Sequence, residues 1–302
     1  MKNKIAVCFS GTLRTGVHAF PNIKQYYGDY FNNIDFFMHT WDIEDWGCDW
    51  SGYDRPFIGD SLWESYQERK LFKLQDSKLE KMESLYKFKK LETTSILDSY
   101  DPNSPNKLQY MWKSFKRSIE LKQEYEKENN FEYDIVVKSR PDILFRVKPI
   151  SDVGLITAGG KKVGKEIRFA NFEKDLELIE SDNIVAQNCN PCDGPDRTLD
   201  DVFWIGSNKV MHNLADFNSD SKLGRNPGAP GWNQYLREIT PWDPGESQYS
   251  WRKGTYCDAK GVKFCELYSS YSNMGPGYCI LRDHLIHLDP IEDFYKIMKE
   301  GY

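Results

Sequence analysis

One short run limits the folds open to this chain: Tyr133 to Arg146, Tyr-Asp-Ile-Val-Val-Lys-Ser-Arg-Pro-Asp-Ile-Leu-Phe-Arg. Asp134-Ile-Val-Val137 is a β-branched stretch of the kind found in buried parallel strands. Pro141 stops it, because proline offers no N–H to a ladder and holds Arg140 extended. Lys138, Arg140 and Asp142 therefore fall at the strand's carboxyl end. Open α/β sheets bind ligands just outside that end, so two cations and one carboxylate are placed there to meet an anionic ligand and a metal ion. An Arg/Asp pair that merely closes the strand is the plainer alternative.

Two further strands share this design. Lys4 to Phe9 runs into Ser10-Gly-Thr-Leu-Arg-Thr-Gly16, where Ser10 and Gly11 allow a tight turn and Arg14 can point back at a phosphate. The turn matches neither a Walker loop nor a dinucleotide fingerprint, and a plain strand-to-helix turn is its other reading. After a short helix around residues 20–30, Ile34-Asp-Phe-Phe-Met-His39 ends in Thr40-Trp-Asp42, where His39, Thr40 and Asp42 are candidates for ribose or base contacts. Strand, crossover, strand opens a parallel sheet with right-handed connections. Residues 61–97 read as helical and charged, with Leu79, Met82, Leu85 and Tyr86 at helix spacing. Asp101-Pro-Asn-Ser-Pro105 breaks the chain. Leu108, Met111, Trp112, Phe115 and Ile119 then mark an amphipathic helix to about Glu128 that covers the sheet.

Beyond Arg146 the signals thin. Ala158 to Gly164 is a Gly/Lys-rich loop, and Asn183 to Gln187 and Val262 to Leu267 read as strands. Asp200 and Asp201 precede a buried run, Val202 to Ile205, turned by Gly206-Ser207; adjacent acids there suit a catalytic base, a metal or acceptor hydroxyls, and equally a turn. Residues 209–217 are helical in pattern, and residues 221–231 loop-like. Glu246, within an aromatic loop at Pro241 to Tyr249, is another candidate acid beside a carbohydrate acceptor. His284 and His287 share a face only if their segment is helical; either is a possible metal ligand or an ordinary surface His.

Charge and composition remove several classes. A net charge of −6 across 302 residues argues against a nucleic-acid partner, so any phosphate must be held by a few local cations. The aromatic share of 15% suits core packing first and sugar or base stacking second. No apolar stretch approaches the roughly 18 residues of a membrane span, and the N-terminal run is too short for a signal peptide, so a cytoplasmic location is expected. Seven cysteines without paired spacing fit reduced thiols, and Cys189-Asn-Pro-Cys192 is a lone pair that reads as a loop before it reads as a zinc or redox site.

In order and spacing, Ser10-Gly-Thr-Leu-Arg14, Phe37-Met-His-Thr-Trp-Asp42, Tyr133 to Asp142 and Asp200-Asp-Val-Phe-Trp-Ile-Gly206 resemble glycosyltransferase-like proteins of microbial and viral polysaccharide gene clusters. The resemblance runs from the first strand to about Phe217. It implies a GT-A-like (Rossmann-like) α/β domain over residues 1–302, with a mostly parallel central sheet flanked by helices and a loop-rich C-terminal third. Residues 1–150 would be the nucleotide-binding half and residues 151–302 the acceptor-binding half. It implies transfer of a sugar from a UDP- or GDP-sugar donor to a glycan acceptor, with Mn2+ or Mg2+ as cofactor. In that fold an Asp-x-Asp motif holds the metal; here the motif reads Arg140-Pro-Asp142, so Asp142 is the metal ligand carried over, with His287 as a loose second. Ser10, Gly11, Arg14, Thr40, Asp42, Lys138 and Arg140 would face the nucleotide, and Asp201, Asp200 or Glu246 would serve as base if the transfer inverts, inversion and retention both being open. A non-catalytic carbohydrate-binding protein of the same fold, and a transferase of other phosphorylated donors, are the competing readings.

Overall fold

β1 (Ile5–Ser10) is buried along its whole length, and the rest of the architecture follows from that. Ile5, Val7 and Phe9 face one core, while Ala6 and Cys8 face another, so a strand without polar alternation lies between two covered faces. The computed structural model describes residues 3–44, 73–96, 98–99, 107–148, 169–187, 202–216, 262–268, 278–281, 285–294 and 296–297. After β1 come α1 (Gly16–Tyr27), a 3-10 helix (Gly28–Asn33), β2 (Ile34–Trp41), α2 (Asp76–Tyr86), β3 (Lys90–Thr94) and α3 (Lys107–Asn129). β4 (Ile135–Ser139), β5 (Ile143–Phe145), α4 (Phe172–Leu176), β6 (Ile184–Gln187), β7 (Phe203–Ser207), α5 (Asn208–Ala215), β8 (Lys263–Glu266) and β9 (Tyr278–Ile280) follow.

The main sheet has the order β3-β2-β1-β4-β7-β6-β8, and all of its strands but β7 run the same way. This is the mostly parallel α/β sheet expected, and it draws strands from both halves of the sequence. Helices cover both faces. Ala19, Ile23, Tyr26 and Tyr27 of α1, with Met82 and Tyr86 of α2, pack on the side of Val7 and Phe9. Trp112, Phe115 and Ile119 of α3, with Val210, Met211 and Leu214 of α5, pack on the side of Cys8. Many of the aromatics are core: Tyr26 stacks on Phe145 with ring centroids 3.7 Å apart, and Phe9, Phe36 and Tyr86 form a second contiguous group.

Residues 61–97 do not form the continuous helical region expected. Their described part holds α2 and then β3, an edge strand beside β2. Lys90 and Glu92 disguise β3 as helix surface; both pair with α3, Lys90 with Glu124 and Glu128, and Glu92 with Arg117. β5 and β9, three residues each, pair antiparallel with each other and were not anticipated. Buried Asn22 of α1 satisfies both backbone groups of Phe145 in β5, donating to its carbonyl at 2.9 Å and accepting from its N–H at 2.6 Å. No helix among the described residues is long and apolar enough to cross a membrane.

Candidate functional site

The strand order 3-2-1-4 means that the chain leaves β1 in one direction and returns for β4 on its other side, so a topological switch point lies between β1 and β4. Their carboxyl ends are level, Phe9 pairing with Ser139. β7 runs the other way, so it begins at this same edge: Phe203 is opposite Ser139, and Arg140 N–H donates to the Val202 carbonyl at 3.2 Å. In open α/β sheets this is the position where ligands bind.

Three of the expected site residues meet in that place. Arg140 donates to both oxygens of Asp142, Nε to Oδ1 at 2.8 Å and Nη2 to Oδ2 at 2.7 Å. Arg14 brings Nη1 to 3.8 Å from Asp142 Oδ2. The carboxylate is wholly buried, whereas the Arg14 and Arg140 side chains keep 16% and 23% of their surface exposed. One anion is thus sealed beneath two cations that reach solvent. A planar guanidinium matches a carboxylate oxygen pair, which is why arginine rather than lysine suits this seat.

Tight packing fixes the Asp142 turn from two sides. A Cβ on Gly16, the first residue of α1, would lie 3.0 Å from Pro141 Cβ and 3.2 Å from its carbonyl oxygen, so glycine lets α1 start directly against the turn. On the other side, Leu281 N–H donates to the Asp142 carbonyl at 2.9 Å, and Thr15 Oγ1 donates to the Leu281 carbonyl at 2.8 Å. The chain just after β9 therefore bridges the β1 turn and the β4 turn.

The turn after β1 carries two left-handed residues, Gly11 with φ 107° and Arg14 with φ 41°. Gly11 N–H donates to Ser114 Oγ at 2.8 Å, which anchors the turn to α3. Ser114 Oγ also lies 2.9 Å from His39 Nδ1 and 3.1 Å from the His39 carbonyl oxygen, and Thr94 Oγ1 lies 2.9 Å from His39 Nε2. Burial drives the imidazole down to about 4, with Glu92 opposing and Arg117 adding to the effect, so the ring is neutral at pH 7. Sequence reading missed Ser114 and Thr15. For Ser114 a signal existed: a small polar residue within the apolar stripe of an amphipathic helix, free to reach the strand ends.

The other expected residues divide into those with contacts of their own and those outside the described residues. Lys138 is buried with its ammonium 4.6 Å from the Trp204 ring centroid and 6.0 Å from that of Phe115, on the α3 side of the sheet. Thr40 is buried, and Asp42 Oδ1 accepts from Ile96 N–H at 2.9 Å, closing the end of β2. Ser10 is buried at the end of β1. His287 is exposed in a turn. Asp200, Asp201, Glu246, His284 and the Cys189/Cys192 pair lie outside the described residues, as do the Gly/Lys-rich stretch at 158–164 and the loop at 221–231.

The donors present do not suit a divalent ion at Asp142. Both carboxylate oxygens already accept from Arg140, and an incoming dication would face two guanidinium charges at close range. Among the described residues no group of three His, Cys, Asp or Glu is placed to hold a metal. Comparison with known proteins adds no template: no protein-family model matches the chain, and no curated protein matches its sequence.

Proposed function

We propose that this protein is a nucleotide-sugar-dependent glycosyltransferase of the GT-A type that passes a sugar to a glycan acceptor. The observation that carries the reading is the meeting of Arg14 and Arg140 on buried Asp142 at the switch point outside β1 and β4. The motif resemblance and the mostly parallel sheet support it. Breaking the anomeric C–O bond builds negative charge on the departing diphosphate and positive charge on the sugar. Cations fixed before the reaction stabilise the first without reorganising. Gly11, held by Ser114, and Arg14 would border the diphosphate from β1, and Arg140 from β4. A base is needed on the acceptor side, and Asp201, Asp200 and Glu246 are the proposed candidates.

A thermal-shift screen of the purified chain against UDP, GDP, CMP and their sugars, followed by an assay for nucleoside diphosphate release, tests the reading. One nucleotide should raise the unfolding temperature, since a ligand at a hundredfold excess over its dissociation constant adds about 2.7 kcal/mol to the native state. A protein that responds to oligosaccharides and to no nucleotide would instead be a carbohydrate-binding module.

A further inference from the structure

We infer that the donor's diphosphate is held in this protein by the guanidinium groups of Arg140 and Arg14, with Asp142 as the buttress that aims them, and that no divalent cation bound to Asp142 takes part in that contact. The inference rests on the transferase reading for its ligand class, a diphosphate ester, and goes beyond it in assigning the cation.

Three observations lead there. First, the carboxylate that would be the metal ligand is fully sealed, and its two oxygens are occupied by a bidentate guanidinium at 2.7 and 2.8 Å. A metal would have to displace Arg140 to reach them, leaving a cation stranded beside a dication. Second, guanidinium nitrogens lie 2.7 Å and 3.8 Å from Asp142 Oδ2, so a dication brought to that oxygen would meet two like charges at close range. Third, the exposed parts belong to the arginines and the hidden part to the carboxylate, so a ligand arriving from solvent meets guanidinium first. Guanidinium recognises phosphate oxygens through paired N–H donors and stays charged at any working pH.

Asp142 is then a positioning residue. It neutralises part of the mutual repulsion of two nearby cations and fixes the plane of Arg140. The Leu281 N–H bond to its carbonyl and the packing of Gly16 on Pro141 fix that plane relative to β1. The role of an Asp-x-Asp motif is thereby inverted, with the acid serving the cation next to it in place of a metal ion.

Calorimetric titration of the full chain with inorganic pyrophosphate, once with EDTA and once with Mn2+, tests this, together with titration of Mn2+ alone. Pyrophosphate should bind in EDTA, with an affinity within about threefold of that in Mn2+, and Mn2+ alone should give no site that depends on Asp142. The double variant Arg140→Met/Asp142→Leu removes the bidentate pair together and leaves Arg14, which reaches solvent, to water; its unfolding midpoint, read beside the titration, checks that the fold is kept. It should lose at least about tenfold in pyrophosphate affinity, the loss expected for one charge-assisted contact. Asp142→Asn retains an acceptor for Arg140 and should keep pyrophosphate binding within about tenfold. Binding that appears only with Mn2+, or a Mn2+ site abolished by Asp142→Asn, overturns the inference while leaving the transferase standing. Absence of pyrophosphate binding in both conditions also overturns it, and nucleotide-sugar turnover in the same preparation then decides separately whether the transferase reading survives.

Discussion

An ion pair built on a buried carboxylate stands at each end of β4, and the two are built to different plans. At its amino end Lys122 Nζ donates to Glu126 Oε2 at 2.7 Å and to Asn208 Oδ1 at 2.5 Å. Glu126 Oε1 accepts from Tyr133 N–H at 2.8 Å and from Asn208 Nδ2 at 3.1 Å. Both charges are buried, one balances the other, and their hydrogen bonds tie α3 to α5 and to the entry of β4. Burial pulls the Lys122 ammonium below the ordinary lysine range, and the Glu126 hydrogen bond works against that pull. At the carboxyl end two cations share one anion, and both cations reach solvent. A closed pair serves the fold; one whose cations reach solvent is the kind that the proposed function uses to meet a ligand. The lesson is that burial of an ion pair says little about its purpose until the exposure of each sign is read.

Breaking the amino-end pair should cost the most stability. Lys122→Met leaves Glu126 charged, buried and short of one partner, which typically costs about 3–5 kcal/mol. Urea unfolding should show the loss as a lower midpoint with an unchanged slope. The folded fraction should bind nucleotide as the wild type does. A loss below about 1 kcal/mol would remove the structural role assigned to this pair.

At the carboxyl end the same kind of change should move activity instead. Arg140→Lys keeps the charge and loses the fork, so kcat should fall about 10²- to 10³-fold, as for removal of one preorganised donor to a developing anion. Stability should change by no more than about 1 kcal/mol, because the ammonium still reaches Asp142 and its exposed side remains in water. Equal losses in KM and none in kcat would reassign Arg140 to uniform ground-state binding.

The parts of this comparison were unequally legible in the sequence. β1, β2 and β4 are written as unbroken apolar runs, and Pro141 marks where the last one stops, so Arg14, Arg140 and Asp142 fell at the right edge of the sheet. Lys138 was grouped with Arg140, but strand alternation turns it toward Trp204, in register beside Cys8. Period-two parity from Val137, which faces the opposite core, was the available signal. β5 and β9 were invisible because each is short and its partner is remote: Ile143 pairs with Ile280, and no local pattern specifies such a match. β3 was hidden by its own defence, since an edge strand that carries Lys90 and Glu92 to answer α3 looks like helix surface. The Lys122 cluster gave no signal, because Lys and Glu four apart on a helix are usually exposed.

A pH series separates the two ends by a third route. His39, in the chain that anchors the β1 turn, has its pKa lowered to about 4 by burial, so the unfolded chain takes up a proton first. Stability therefore falls as pH drops from about 6.5 toward 4, by on the order of 3 kcal/mol from this residue. His212, at the Lys122 end, is lowered to about 4 by burial and then by Lys122, and adds a loss of the same sign. Asp175 runs the other way: burial raises it to about 6 against the hydrogen bonds from Tyr26 and Tyr268, so protonation below pH 6 favours the native state. His39→Gln should flatten the acid limb only in part, leaving the His212 share. A variant whose acid limb matches the wild type would show that the His39 ring is charged in the native protein.

The smallest effect is expected where charges are most numerous. Arg117 on α3 reaches Glu92 at 2.7 Å, Glu124 at 2.7 Å and Glu120 at 3.3 Å, with Lys90 beside Glu124 and Glu128. These side chains are all at least a fifth exposed, so water and salt screen them, and Arg117→Ala should cost about 1 kcal/mol or less. Most of that cost comes from three carboxylates left close together, so it should shrink further in high salt. The Lys122→Met cost should not, because its unpaired carboxylate lies where counterions do not reach. Unfolding both variants at low and high ionic strength therefore sets a sealed pair against an open network on one helix. A salt-insensitive loss at Arg117 as large as that at Lys122 would mean that β3 is held to the sheet by these charges rather than by its backbone ladder with β2.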